Sequence, residues 1–219
     1  MTVRGSASHC SGNLQMPDEQ TYRTFIAIEP PSDIRRQIKE YIQQLRAQFP
    51  QVRASWLHEH NLHLTLKFIG DIPITRIPAI SESCSEASRQ IEPFDLIVSG
   101  CGTFPPHGKP KVLWIGIEDA EAGTQMSRLR QLHAAIEDSC ATYGFEREVR
   151  PYQPHLTIAR IREARDSRAL AEHHRQTNFA MQRFSVSEVV VFRSQLSREG
   201  SIHSPFSRHG LSTPARVLT

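Results

Sequence analysis

The chain carries one tripeptide twice, His63-Leu64-Thr65 and His155-Leu156-Thr157, and each copy sits inside an alternating, strand-like run. Random order at this composition would give fewer than one copy. In a strand, successive side chains point to opposite faces, so the His and Thr of each copy share a face and the Leu takes the other. Each copy therefore sets an imidazole and a hydroxyl on one side and gives its apolar residues to a core. Two such faces brought together surround one substrate atom with two acid/base groups and two hydroxyl donors. That inventory suits phosphoryl or acyl transfer without a metal. Either copy alone reads as a surface histidine on an amphipathic strand. Recurrence in matching surroundings favours a site.

Those surroundings do match. Thr21 to Ile28 reads as a strand, and Pro30-Pro31-Ser32-Asp33 opens a helix with Ile34, Ile38, Tyr41, Ile42 and Leu45 on one face, ended by Phe49-Pro50. A short strand, Val52 to Trp56, and a polar loop, His58 to Asn61, lead into the first tripeptide strand, Leu62 to Ile69, which Gly70-Asp71 is expected to stop. A helix from Pro78 to Gln90 and a strand from Phe94 to Val98 precede a Gly/Pro-rich loop from Gly100 to Pro110. The pattern then restarts with a strand at Val112 to Ile117. A helix from Gln125 to Tyr143 follows, with Met126, Leu129, Leu132, Ala135 and Ile136 on one face and Gly144 as its cap. A basic segment, Arg147 to Pro154, leads to the second tripeptide strand, His155 to Ile161.

The tripeptide histidine lies about 41 residues into the first unit and about 43 into the second, an internal pseudo-repeat. A helix at Asp166 to Arg175, a strand at Phe184 to Phe192 and a last strand at Ile202 to Phe206 complete the reading. One-faced strands suit antiparallel sheets with helices on one side. The expected class is α+β: two pseudo-symmetric lobes, each a mainly antiparallel sheet with helices on its outer face, and a site cleft between them. Residues 1–20 read as a disordered leader, 21–206 as the bilobal domain and 207–219 as a C-terminal tail.

The formal net charge of +3 does not by itself point to nucleic acid. Only four of the 26 basic residues are lysine, Lys39, Lys67, Lys109 and Lys111. Arginine's planar fork suits phosphate, although an arginine-rich codon bias gives the same composition. Cys10, Cys84, Cys101 and Cys140 match no zinc spacing and read as free thiols of a reducing compartment. His58, His60, His173 and His174 lack neighbouring ligands and read as surface histidines, so neither metal nor cofactor is expected. Apolar runs are too short to span a membrane, and no secretory signal opens the chain; a cytoplasmic monomer is expected. Tyr22, Phe25, Trp56, Phe104, Trp114 and Tyr152 could stack on a base. Phe104 and Tyr152, in loop-like stretches, are the candidates, and the others are assigned to the core. Lys67, on the face of Thr65, either enters the cleft or ends in solvent.

The chain resembles the 2H phosphoesterase superfamily, and within it the RNA 2′,3′-cyclic phosphodiesterases, historically called 2′-5′ RNA ligases. Arg23-Thr-Phe25-Ile-Ala-Ile28, Asn61-Leu-His63-Leu-Thr65-Leu-Lys-Phe68-Ile-Gly70, Lys111-Val-Leu-Trp114 and Pro154-His155-Leu-Thr157-Ile-Ala-Arg160 carry the resemblance, which runs from about Tyr22 to about Phe206. It implies that His63 is the proton donor, His155 the proton acceptor, and Thr65 and Thr157 the phosphate ligands. The substrates it implies are RNA ends or nucleotides bearing a 2′,3′-cyclic phosphate, opened to a 2′-phosphomonoester. Arg160 is implied as a further phosphate contact, yet alternation places it opposite His155 and Thr157, so it reaches the cleft only at a strand end or a bulge. Ligation by the reverse reaction, a binding module without turnover, and a small-molecule cyclic-nucleotide phosphodiesterase are the alternatives.

Overall fold

The computed structural model describes residues 20–120, 127–163, 166–177, 179–197 and 200–212. The leader, Cys10, Met126 and most of the tail lie outside the described residues. Nine strands form one antiparallel sheet: β1 (Thr21–Ile28), β2 (Ala54–Trp56), β3 (Leu64–Pro73), β4 (Phe94–Phe104), β5 (Val112–Asp119), β6 (His155–Ile161), β7 (Gln182–Val186), β8 (Glu188–Ser197) and β9 (Gly200–Gly210). Four helices accompany them: α1 (Ser32–Gln48), α2 (Ile77–Ser88), α3 (Arg128–Thr142) and α4 (Ser167–Gln176).

The strand order β7-β4-β5-β6-β3-β1-β8-β9 reads the same from either end once the repeat is applied. The tripeptide strands β6 and β3 lie at the centre, and β5 and β1 flank them. The lobes are thus halves of one sheet, joined where β3 and β6 pair through Leu64 and Leu156. Both leucines are fully buried. Helices cover the face on which these leucines lie. Five apolar residues of α1, Ile34, Ile38, Tyr41, Ile42 and Leu45, are buried there, each contributing about 1.5–3 kcal/mol when fully withdrawn from water.

The repeat units exchange helices. α3, from the second unit, packs on β3 and α2. α1, from the first, reaches α4 of the other half: the Tyr41 hydroxyl lies 2.8 Å from Nδ1 of His174, whose Nε2–H donates to the Trp114 carbonyl at 3.0 Å. His174 is therefore a core histidine, not a surface one. Burial pushes its pKa down to about 4. An imidazole with one acceptor and one donor partner sits neutral in a core at little cost.

Several boundaries differ from expectation: β9 spans Gly200–Gly210 instead of Ile202 to Phe206, so it runs into the expected tail, and three further differences shape the sheet. β3 continues through Gly70 to Pro73, because the register against β1 slips there and Gly70 takes φ +90°. β4 runs on to Phe104 with a slip between Ser99 and Cys101, so the Gly/Pro segment begins as strand. Gly102 is where that strand passes the indole of Trp114; a Cβ there would lie 2.1 Å from the ring. The Phe184–Phe192 run is two strands. β7 pairs with β4 in one half and β8 with β1 in the other, with Ser187 alone between them. A single residue spans only about 3.6 Å, so the sheet must curl to bring these strands end to end. Only the polar pair Ser187-Glu188 marks the break, and it carries no glycine or proline to read as a turn.

Candidate active site

The antiparallel pair Leu64–Leu156 fixes what stands around it. With that register, His63 falls opposite Thr157 and Thr65 opposite His155. All four side chains point to the helix-free face, because the two leucines between them point into the core. A local twofold thus places each imidazole beside the other copy's hydroxyl; the tripeptide strands pair edge to edge in one sheet instead of facing each other across a cleft.

Each histidine is held the same way. Nδ1–H of His63 donates to the Asn61 carbonyl at 2.7 Å, and Nδ1–H of His155 to the Gln153 carbonyl at 2.7 Å. A carbonyl can only accept, so Nδ1 carries the proton and Nε2 of each ring is left for chemistry. Aromatic rings pack beside both. Phe25 lies 4.7 Å from His63, and Phe104 lies 4.9 Å from His155, with Trp114 at 6.4 Å. On the first half, Phe25, Ala27, Val190 and Phe192 form a buried cluster of their own, separate from the main core.

Electrostatics disfavour the charged form of both rings. Burial is the largest cause for His63, and the neighbouring His203, Arg160 and His155 add to it; the Asn61 carbonyl opposes them, and the pKa falls to about 4. His155 is lowered too, by burial first and then by Arg160, against the Gln153 carbonyl.

Arg160 reaches the face of the site by a bulge, one of the two routes that alternation left open. The register between β5 and β6 slips between Leu113 and Trp114, leaving Ile158 unmatched. Ile158 and Ala159 are both buried, so Arg160 emerges on the face of His155 and Thr157. No carboxylate among the described residues pairs with it. β3 slips at the equivalent place, where Ile26 faces Lys67 and Ala27 faces Thr65. The same phase change turns Lys67 inward: it is 3% exposed, and its Nζ donates to Glu137 Oε2 and to the Glu146 carbonyl, both at 2.7 Å. Lys67 therefore neither enters the cleft nor ends in solvent. Phe68 takes the place that Arg160 holds in the second copy and is half exposed.

Of the two aromatic candidates, Phe104 stands at the site, against His155. Tyr152 does not offer itself for stacking: its ring lies on His133 at 4.0 Å and its hydroxyl donates to the Thr65 carbonyl at 3.3 Å. It packs α3 onto β3. Phe25, assigned to the core, is buried in the smaller apolar cluster, and its ring also walls the site beside His63. One residue was missed: His203 of β9 brings a third imidazole 5.1 Å from His63. No local pattern marks His203, since its approach depends on β9 pairing with β8 beside β1. Among the described residues no group of three or more His, Cys, Asp or Glu could hold a metal, no helix is long and apolar enough to cross a membrane, and Cys84, Cys101 and Cys140 are free.

Known proteins resemble this chain in sequence and in fold. An RNA 2′,3′-cyclic phosphodiesterase of Methanothermobacter thermautotrophicus is 30% identical over 183 residues, covering 83% of this chain and 95% of that protein. One of Geobacillus stearothermophilus is 29% identical over 174 residues, and there the chain spans about half, 52%, of the relative's length. The crystal structure of E. coli LigT complexed with 3′-AMP superposes with a TM-score of 0.65 at 26% identity, over 89% of this chain and all of that one. A Thermus thermophilus protein, TT0787, shares the fold with a TM-score of 0.70 at 21% identity, over 87% of this chain and 98% of that one. Residues 30–198 match the family described as the 2′-5′ RNA ligase superfamily, and to that family this chain belongs.

Proposed function

We propose that the protein hydrolyses RNA or nucleotide 2′,3′-cyclic phosphates to 2′-phosphomonoesters, with His155 as base and His63 as acid and with no metal. The observation that carries this reading is the seam, with two imidazoles free at Nε2, two hydroxyls on the same face and an unpaired guanidinium beside them. The family of the relatives supports it.

Water attacks phosphorus and gives its proton to Nε2 of His155. The bond from phosphorus to the ribose 3′-oxygen breaks, and that oxygen takes the proton from Nε2 of protonated His63. The phosphate stays on the 2′-oxygen. Attack and departure lie on opposite sides of phosphorus, and the twofold supplies one imidazole for each side. Thr65, Thr157 and Arg160 donate to the phosphoryl oxygens, where a positioned donor is worth about 2.7–4 kcal/mol. Ligation would use the same groups, with an RNA 5′-hydroxyl in place of water.

The test is turnover of 2′,3′-cyclic AMP and of a cyclic-phosphate-ended oligonucleotide, with products resolved by phosphorus NMR. A 2′-phosphate product, formed at an unchanged rate after exhaustive EDTA treatment, is expected. A 3′-phosphate product would remove the regiochemistry. Loss of activity on chelation, restored by one metal, would overturn both histidine roles.

The pH profile carries a sign. His63 must be protonated to act as acid, and in the free enzyme its pKa is held down to about 4, so the competent fraction falls as pH rises past that value. His155 must be neutral, and its lowered pKa puts that limb below the ordinary 6.5 as well. The bell in kcat/KM should therefore peak below pH 6.5. The bell in kcat should lie higher, because the bound phosphate anion favours the imidazolium. A kcat/KM optimum at pH 8 would rule out His63 as the acid.

A further inference from the structure

The two walls of the site differ, and the proposed chemistry says which one faces the sugar. The acid protonates the departing 3′-oxygen, which belongs to the same ribose that keeps the phosphate. The nucleoside must therefore lie on the acid's side, and water or a second strand end on the base's side. His63 is flanked by His203, Phe25 and the first half of the sheet; His155 is flanked by Phe104 and Trp114.

His203 is built to donate there. Its ring lies 4.9 Å from Phe25 and 5.1 Å from His63. Nδ1 is buried with no hydrogen-bond partner, and among the described residues no hydrogen bond engages Nε2. Protonating Nδ1 would bury a charged N–H without an acceptor, so the ring stays neutral with its proton on Nε2. Burial and the nearby His60 act in the same direction on its pKa. Asn61, whose carbonyl holds His63, also ties down this strand, its Nδ2 donating to the Ser201 carbonyl at 2.6 Å. Farther along the same wall, Arg23 lies in the row of Ser194 and His203, and its guanidinium covers the half-exposed ring of Phe68 at 4.6 Å. Asp71 faces Arg23 in the β1–β3 register, yet no carboxylate among the described residues pairs with that guanidinium. A flat cation resting on a ring and open on its other face is a platform for a nucleobase.

We propose that the substrate's nucleoside lies on the first-half wall, where His203 donates to the ribose from Nε2 and the base stacks on Arg23 spread over Phe68. This deepens the cyclic-phosphate reading and rests on it. Phe104, on the opposite wall, shields the water side.

Two probes separate the parts: 2′,3′-cyclic AMP and ribose 2′,3′-cyclic phosphate, which lacks a base. The wild type should prefer the first. His203→Phe keeps the ring packing and removes the donor, so KM should rise about tenfold on both probes with kcat little changed. Arg23→Ala, at an exposed position, should raise KM about fivefold on cyclic AMP alone. Melting temperatures and calorimetric affinity for 2′-AMP complete the set. A wild type that treats both probes alike, a base preference erased by Phe104→Ala but not by Arg23→Ala, or KM and Kd within twofold of wild type in both His203→Phe and Arg23→Ala would overturn the proposal. If the wild type turns over neither probe, the phosphodiesterase reading falls and 2′-AMP binding decides: weakening in both variants supports the wall, and unchanged or absent binding overturns it.

Discussion

His63→Ala and His155→Ala should each lower kcat on a 2′,3′-cyclic nucleotide by about 10²–10⁴-fold, and the double variant should be little worse than either. In the proposed reaction the steps they serve are concerted around one phosphorus atom. Without the base, the acid has no departing oxygen to protonate at a useful rate; without the acid, the attacking water meets a poor leaving group. Neither ring is part of the main core; the leucines beside them are. Melting temperature should therefore move little, which separates lost chemistry from lost fold. The residual rate would come from Thr65, Thr157 and Arg160 holding the phosphate, so Thr65→Val and Thr157→Val should each cost less than either histidine change. If either alanine variant keeps a rate within threefold of wild type while folded, the paired assignment is wrong. If the double variant falls by the product of the two single losses, the histidines act independently and one of them belongs to binding.

The site was legible in the sequence because it is written in local alternation. His-Leu-Thr in a strand fixes a face whatever the strand pairs with, and the second copy makes that face the candidate. Local periodicity also placed five buried residues on α1, there at helical rather than alternating spacing. It failed where alternation breaks. The bulges at Leu66 and Ile158 are invisible in composition, because each unmatched residue is an ordinary buried apolar one, and they decide that Lys67 turns inward and Arg160 outward. It also failed where pairing is distant. The split at Ser187, the exchange of α1 and α3 between the halves and the arrival of His203 beside His63 are set by contacts across the whole sheet. Long-range pairing leaves no periodic trace in any one segment.

The ion pair that the first bulge creates should be the costliest single point to break in the fold. Lys67 and Glu137 meet at 2.7 Å with side chains 2% and 8% exposed, β3 supplying the cation and α3 the anion. Lys67 Nζ also donates to the Glu146 carbonyl, and Glu137 Oε2 accepts from the Glu148 amide at 3.2 Å, so the pair fastens the segment that leads into His155. Taking one partner away leaves a buried charge with nothing opposite it. Lys67→Met should therefore destabilise the protein by about 3–5 kcal/mol, which for a domain of this size lowers the melting temperature by about 10 °C. Glu137→Leu should cost a similar amount, because Lys67 then keeps only a carbonyl. The double variant Lys67→Met/Glu137→Leu removes both charges together and should recover most of the loss, since buried pairs replaced by apolar residues of like volume are often neutral. Thermal unfolding of the four proteins closes this cycle. Additive losses would mean that the two side chains do not act as a pair. Activity should follow stability only in part. At a temperature where every variant is folded, the double variant should still turn over more slowly, because no buried charge remains to hold the Glu146–Glu148 segment, and with it the approach to His155, against the strand that carries Thr65.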